Sequence, residues 1–225
     1  FANGTLKAEG SIMITASHNP AEWNGFKLCR AEAVPISGVT GIEDIEAIVK
    51  AQAFKPVADT TGAVSTYDIL PEYREHIRPF MNFARRPKLA IDYANGMGIP
   101  EAKTFEDAID QTRLFGDIDG SFPNHEANPL HHATLADLQK EVRAGKYDFG
   151  VAFDGDADRA GFIDEKGDII PMDLITALIA QDVLSREKGV IFYDLRSSRV
   201  VKEVIEAAGG VPMMSRVGHA FIKRM

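Results

Sequence analysis

Apolar residues fall along this chain in two rhythms. Short runs, alternating or unbroken, predict strands over residues 11–14, 25–29, 88–93, 112–117, 149–153, 160–163, 190–193 and 211–214. A 3.6-residue spacing predicts helices over 67–80, 135–142, 172–184 and 200–208, and the last residues, 220–225, also read as helix. Ile42, Ile45, Ile48 and Val49 share that spacing, which predicts a surface helix over 41–49 with one buried stripe. Thr134 is the expected N-cap of the helix over 135–142 and Gly145 its stop. Residues 54–66 are rich in Pro, Gly, Thr and small side chains and read as a linker, so a domain boundary is expected there. Beyond it strands alternate with helices, the pattern of an α/β fold. Punctuation by Gly, Pro and Asn marks turns over 94–98 and 165–168 and a loop over 120–129.

Composition narrows the class. The chain has 225 residues, 45% hydrophobic and 26% charged, an ordinary globular balance with length for one large domain or two smaller ones. A formal net charge of -8, with a pI near 5.3 and no dense Lys/Arg patch, argues against nucleic-acid or anionic-membrane partners. Any small anionic substrate would need a locally basic pocket. Cys29 stands alone, so no intrachain disulfide can form, which fits a reducing compartment. No apolar run approaches the roughly 18 residues of a membrane span, and the first residues lack the basic-then-apolar layout of a signal peptide. The expected location is cytoplasmic. The chain opens on Phe1 and its final helix has no stop signal, so both ends read as cut and a piece of a longer protein is expected.

Two stretches carry candidate chemistry. Thr15-Ala16-Ser17-His18-Asn19-Pro20 is a turn dense in donors and acceptors between two predicted strands, and Pro20 biases Asn19 away from helical geometry. It either presents the Ser17 hydroxyl at a strand end or merely caps the structure that follows. In Asp154-Gly155-Asp156-Ala157-Asp158-Arg159 the carboxylates alternate at i, i+2 and i+4, which in a looping backbone turns all three toward one point. Three crowded anions repel unless a cation sits among them, and an oxygen-only set suits Mg²⁺ or Ca²⁺. An EF-hand places Glu165 at its twelfth position, but Arg159 stands where the sixth needs glycine and the flanks read as strands. A structural acidic turn leaves Arg159 unexplained. A Ser-His-Asp triad lacks the Gly-x-Ser-x-Gly elbow, and His18 directly abuts Ser17. Asn95-Gly96-Met97-Gly98 is too short for a phosphate-cradling loop and reads as a structural turn. His125, His131 and His132 lack the partners of a zinc set and read as solvated loop histidines.

Taken together, the serine turn with Asn24-Gly25-Phe26-Lys27 and the aspartate loop resemble the α-D-phosphohexomutase family. Phe122-Pro123-Asn124, Asn128-Pro129-Leu130 and residues 217–223 support the resemblance, which spans nearly the whole chain. Residues 24–28 and 35–38 look most like bacterial phosphomannomutases. The resemblance implies an α/β fold of mixed-sheet, three-layer αβα domains: residues 1–65 as the C-terminal part of domain 1 with the serine, 66–169 as domain 2 with the metal loop, and 170–225 as the N-terminal part of domain 3. It implies an intramolecular phosphotransferase that interconverts hexose 1- and 6-phosphates, mannose first, through phosphorylated Ser17 and a hexose 1,6-bisphosphate. Phosphoglucomutase, phosphoglucosamine mutase and a non-catalytic Ca²⁺- or Mg²⁺-binding module are the alternatives. Mg²⁺ would be held by Ser17, Asp154, Asp156 and Asp158, with Arg159 steadying the phosphoryl group and His18 and Lys27 as candidates for proton transfer. Arg196 and His219 match sugar-contacting positions, although many relatives have lysine where Arg196 stands. The partners implied are small sugar phosphates, acted on by a monomer or dimer with no nucleic acid or membrane. The family's N-terminal Gly/Arg segment, its Gly-Glu-x-Ser-Gly-His sugar loop and its fourth domain have no counterpart in these residues, so the donor half of the site without efficient turnover is expected.

Overall fold

The computed structural model describes residues 1–57, 59–218 and 222. The chain divides into two compact units, Phe1–Thr15 with Gly25–Asn82, and Ala16–Asn24 with Phe83–Met225.

The first unit holds α1 (Ala2–Thr5), β1 (Gly10–Ile14), β2 (Phe26–Arg30), α2 (Ile42–Ala51) and α3 (Leu70–Ile77). β1 and β2 pair antiparallel, with Gly10 opposite Arg30 and Ile14 opposite Phe26, so two strands bracket the serine turn as expected. Buried Asn3 ties this pair to α1, donating to Ser11 Oγ at 2.9 Å and to the Arg30 carbonyl at 3.2 Å while accepting from the Ala33 N–H. α2 forms where its spacing predicts, but the expected buried stripe does not: Ile45, Ile48 and Val49 are exposed. The helix has no buried residue, because the short turn Gly38–Thr40 that it packs on is too small to cover an apolar face. Residues 53–57 and 59–69 carry no helix or strand, in keeping with a linker. The helix predicted over 67–80 starts later, with Pro71 in its first turn, and tightens into a 3₁₀ turn at Arg78–Phe80.

The second unit is built on a five-stranded mixed sheet of β3 (Lys88–Asp92), β4 (Asp110–Leu114), β5 (Phe149–Phe153), β6 (Ala160–Ile163) and β7 (Ile169–Ile170), in the order β4-β3-β5-β6-β7. β4, β3 and β5 run parallel; β6 pairs antiparallel with β5, and β7 antiparallel with β6. Side chains alternate faces along the strands. Ala90, Ala152 and Ile163 pack on one face against Leu135, Leu138 and Val142, the last two carried by α4 (Ala136–Ala144). Leu89, Ile91 and Val151 pack on the other against Ala102 of the 3₁₀ helix Pro100–Phe105 and Ile109. Helix, sheet and 3₁₀ layer make the three-layer αβα arrangement that was expected. Thr134 does not cap α4: its hydroxyl donates instead to the carbonyls of Asn128 and His131, because a 3₁₀ turn, His132–Leu135, leads into the helix.

A parallel pair follows, β8 (Val190–Asp194) with β9 (Val211–Ser215), covered by α5 (Met172–Arg186) and α6 (Arg199–Ala207). Its core of Ala177, Ala180, Leu184, Tyr193, Val201 and Ile205 shares no residue with the cores on the larger sheet. The helix expected over 220–225 falls largely outside the described residues. Among the described residues, no helix is long and apolar enough to cross a membrane.

Candidate active site

The serine turn, residues 16–24, belongs to the second unit, as does the aspartate loop that joins β5 to β6. Phe153 pairs with Ala160 across the hairpin, so the six loop residues are held at both ends by a fixed register. Inside the loop the Asp154 side chain folds back to accept the Arg159 backbone N–H at 3.1 Å, while the Asp154 N–H donates to the Arg159 carbonyl and the Ala157 N–H to the Asp154 carbonyl. Asp154, Asp156 and Asp158 each offer an oxygen within 4.8 Å of the others, the one such metal-competent group among the described residues. Asp154 is fully buried, and burial pushes its carboxyl above the usual range; the Arg159 N–H opposes that shift, whereas Asp156 and Asp158 add to it. A buried carboxylate crowded by two like charges favours a cation beside it, and a hard divalent ion fits an oxygen-only set.

Ser17 reaches this loop. Its hydroxyl points at Asp154 Oδ2 across 3.4 Å, and His18 Nδ1 lies 3.2 Å from the same hydroxyl. Arg159 Nη1 donates to His18 Nδ1 at 2.9 Å, and its Nε lies 3.8 Å from both Asp154 Oδ2 and Asp158 Oδ1. A guanidinium only donates, so Nδ1 is the acceptor in that contact. Ser17 adopts a left-handed backbone (φ 58°), and Ala157 in the acidic loop does likewise (φ 57°). Each such non-glycine residue costs about 1–3 kcal/mol, which surrounding contacts must offset. Gly155 permits the close approach of the two segments: a Cβ there would run into the Ser17 carbonyl oxygen and lie 3.4 Å from Phe122 and 3.6 Å from Ala127.

The structure thus brings together Ser17, His18, Asp154, Asp156, Asp158 and Arg159. Lys27 lies exposed on β2 in the first unit. Arg196 follows β8 and turns onto Asp194 through Nε and Nη2, with Nη2 2.6 Å from Oδ2. His219 lies outside the described residues. The loop histidines need one correction. His131 stays largely exposed beside Glu126, but the His125 side chain is only 15% exposed and donates from Nε2 to buried Asp92 at 3.0 Å.

Family models for phosphoglucomutase/phosphomannomutase alpha/beta/alpha domains match in chain order: domain I over residues 1–56, domain II over 71–167 and domain III over 171–225. The chain belongs to the phosphoglucomutase/phosphomannomutase family. Within this family it is 40% identical over 233 residues to a phosphomannomutase of Vibrio cholerae, an alignment covering 99% of this chain and 50% of that one. A phosphoglucomutase of Neisseria meningitidis is 39% identical, over 94% of this chain and 46% of its own. Among solved structures, a phosphoglucomutase/phosphomannomutase family protein from Burkholderia thailandensis superposes with a TM-score of 0.88 at 34% identity, covering 96% of this chain and 46% of that one. The chain spans about half the length of the curated relatives it matches. What the serine and aspartate motifs of this phosphoglucomutase/phosphomannomutase chain did not reveal is their support. Asp92 and Asn95 lie outside both motifs, and the available signals were a charged residue closing an apolar strand and an Asn-Gly pair just after it.

Proposed function

We propose that the chain carries the phosphoryl-donor site of a phosphohexomutase that interconverts hexose 1-phosphate and hexose 6-phosphate, with mannose as the sugar. The observation behind this reading is the Ser17 hydroxyl aimed at buried Asp154 of the carboxylate cluster, with His18 and Arg159 closing around it. In the same reading residues 1–65 are the later part of domain 1, 66–169 are domain 2 and 170–225 are the early part of domain 3. Asp154, Asp156, Asp158 and phosphorylated Ser17 would hold Mg²⁺, which when bound supplies charge neutralisation at the phosphoryl oxygens.

Ser17 Oγ is the phosphoryl carrier. Its bond to phosphorus breaks as a sugar hydroxyl oxygen bonds to that phosphorus, and the hydroxyl proton passes to Lys27 or His18. The phosphoryl group at the other end of the resulting hexose 1,6-bisphosphate then returns to Ser17 Oγ, leaving the isomeric monophosphate. Arg159, between Ser17's neighbour His18 and the aspartates, steadies the group in transit. Arg196 and His219 contact the sugar. The setting is cytoplasmic, the partners are small sugar phosphates, and the enzyme acts as a monomer or dimer. Phosphomannomutase relatives and residues 24–28 and 35–38 favour mannose.

Incubation with a hexose 1,6-bisphosphate, followed by intact mass or phosphorus NMR, tests the donor. A phosphate on Ser17 that disappears in Ser17→Ala is expected; cation binding without phosphorylation would make the chain a non-catalytic metal module. Paired mannose and glucose phosphate assays on the whole protein test the sugar, and a preference for glucose would replace mannose in this reading.

A further inference from the structure

β3, second in the sheet between β4 and β5, ends in Asp92, a carboxylate with no solvent exposure. Its Oδ1 accepts the Ala94 N–H at 2.8 Å and its Oδ2 accepts from His125 Nε2 at 3.0 Å. The other ring nitrogen of His125 faces the Glu126 carbonyl oxygen at 2.8 Å. A carboxylate and a carbonyl only accept, so both nitrogens donate and the ring is an imidazolium. Phe115 packs edge-on against it. Three residues after Asp92, Asn95 sits left-handed (φ 56°), donates to the Asp117 carbonyl at 2.8 Å and accepts from Asn124 Nδ2 at 2.8 Å. Adjacent residues of one loop, Asn124 and His125, therefore grip both ends of the turn after β3.

What that grip encloses is Gly155. From the β3 side, Met97 N–H donates to the Gly155 carbonyl at 2.9 Å, and a Cβ at Gly96 would lie 2.7 Å from the same oxygen. From the 122–127 side come Phe122 and Ala127, and from the third side the Ser17 carbonyl. A buried ion pair is a weak source of stability, since apolar residues of like volume often serve better, but it fixes orientation. We infer that Asp92, Asn95, Asn124 and His125 form a positioning clamp which, through Gly155, sets the acidic loop at its working distance from Ser17. The inference rests on reading Asp154, Asp156 and Asp158 as a cation site. None of the four clamp residues is a ligand; they hold the two segments between which the ligand loop is wedged.

Mn²⁺ titration of the full chain, followed by electron paramagnetic resonance, tests the clamp. His125→Ala and Asn124→Ala are each expected to weaken Mn²⁺ binding about tenfold, the usual scale for groups that orient metal ligands. His125→Gln, whose amide N–H falls near Nε2, restores part of the loss. Ile109→Ala, a core truncation next to the opposite end of the parallel strands, lowers thermal stability and leaves the Mn²⁺ affinity unchanged. Hydrogen exchange on the unsubstituted chain needs no variant to fold: by reciprocity, added Mg²⁺ slows exchange over 94–98 and 122–128. Affinities within twofold of the unsubstituted chain in both alanine variants, or no slowing in those segments, overturn the clamp while the cation site stands. No Mn²⁺ binding by the unsubstituted chain overturns the cation reading itself and the clamp with it.

Discussion

A methyl group on residue 155 would meet the carbonyl oxygen of Ser17, and neither backbone has a flexible side chain that can yield. Gly155→Ala is therefore expected to cost about 1–3 kcal/mol, the range for overpacking a filled site, read as a lower urea midpoint with an unchanged slope. His125 gives a pH dependence of definite sign. The hydrogen bond to Asp92 raises its pKa above the ordinary value, with burial opposing and the Glu126 carbonyl assisting. A folded pKa above the unfolded one means stability fully present below about 6.5 and lost as pH climbs through the raised value. Urea midpoints across that window should fall for the natural chain and flatten in His125→Gln. The composition of residues 120–129 correctly told of a loop, yet it was silent about where the His125 ring goes, because its partner Asp92 lies 33 residues earlier. Ser17 and the three aspartates were legible because their spacing is local; the residues beneath them were not, because their pairing is a tertiary fact.

At the scale of elements, strands were the easier reading. Phe149–Phe153 is apolar throughout because its middle residues are buried between layers, and Lys88–Asp92 is buried after its first residue. Helices were found by their spacing, but spacing does not name the surface that receives the apolar face. α4 lays Leu138 and Val142 on the sheet, whereas the equally periodic α2 leaves Ile45, Ile48 and Val49 exposed. The Thr134 cap failed for a related reason: a threonine beside a helix start also has carbonyls within reach, and here two of them accept the hydrogen bond from its hydroxyl. Leu138→Ala should cost about 2–5 kcal/mol, the usual range for truncating a fully buried leucine, measured by chemical denaturation. A cost below 1 kcal/mol would mean that α4 does not bear on the sheet as described.

For the molecule as a whole, the separateness of the cores is the property with measurable consequences. The cluster around Leu184, Val201 and Ile205 has no residue in common with the two clusters on the five-stranded sheet. Local opening follows such divisions. Ile205→Ala should therefore speed hydrogen exchange over 172–215 and leave exchange over 88–170 as it was; acceleration throughout would show that the clusters unfold as one. The α/β alternation made this segmentation partly visible in the sequence, as a strand–helix pattern resuming after residue 170. The grouping of residues 16–24 with Phe83–Met225 was not visible, since it depends on where a turn docks rather than on what it contains.

The pairing of Phe153 with Ala160 also acts as a ruler. Six residues fill the gap it measures, and each carboxylate takes its aim from its count along that span. Surface loops ordinarily absorb insertions and deletions, but a single residue gained or lost here would rotate the following carboxylates away from the common point or pull β6 out of step with β5. In lineages descended from this sequence, length variation should accumulate in the segment over 53–69 and be purged between Phe153 and Ala160, a selection on spacing that would act even where the chemical character of every side chain were kept.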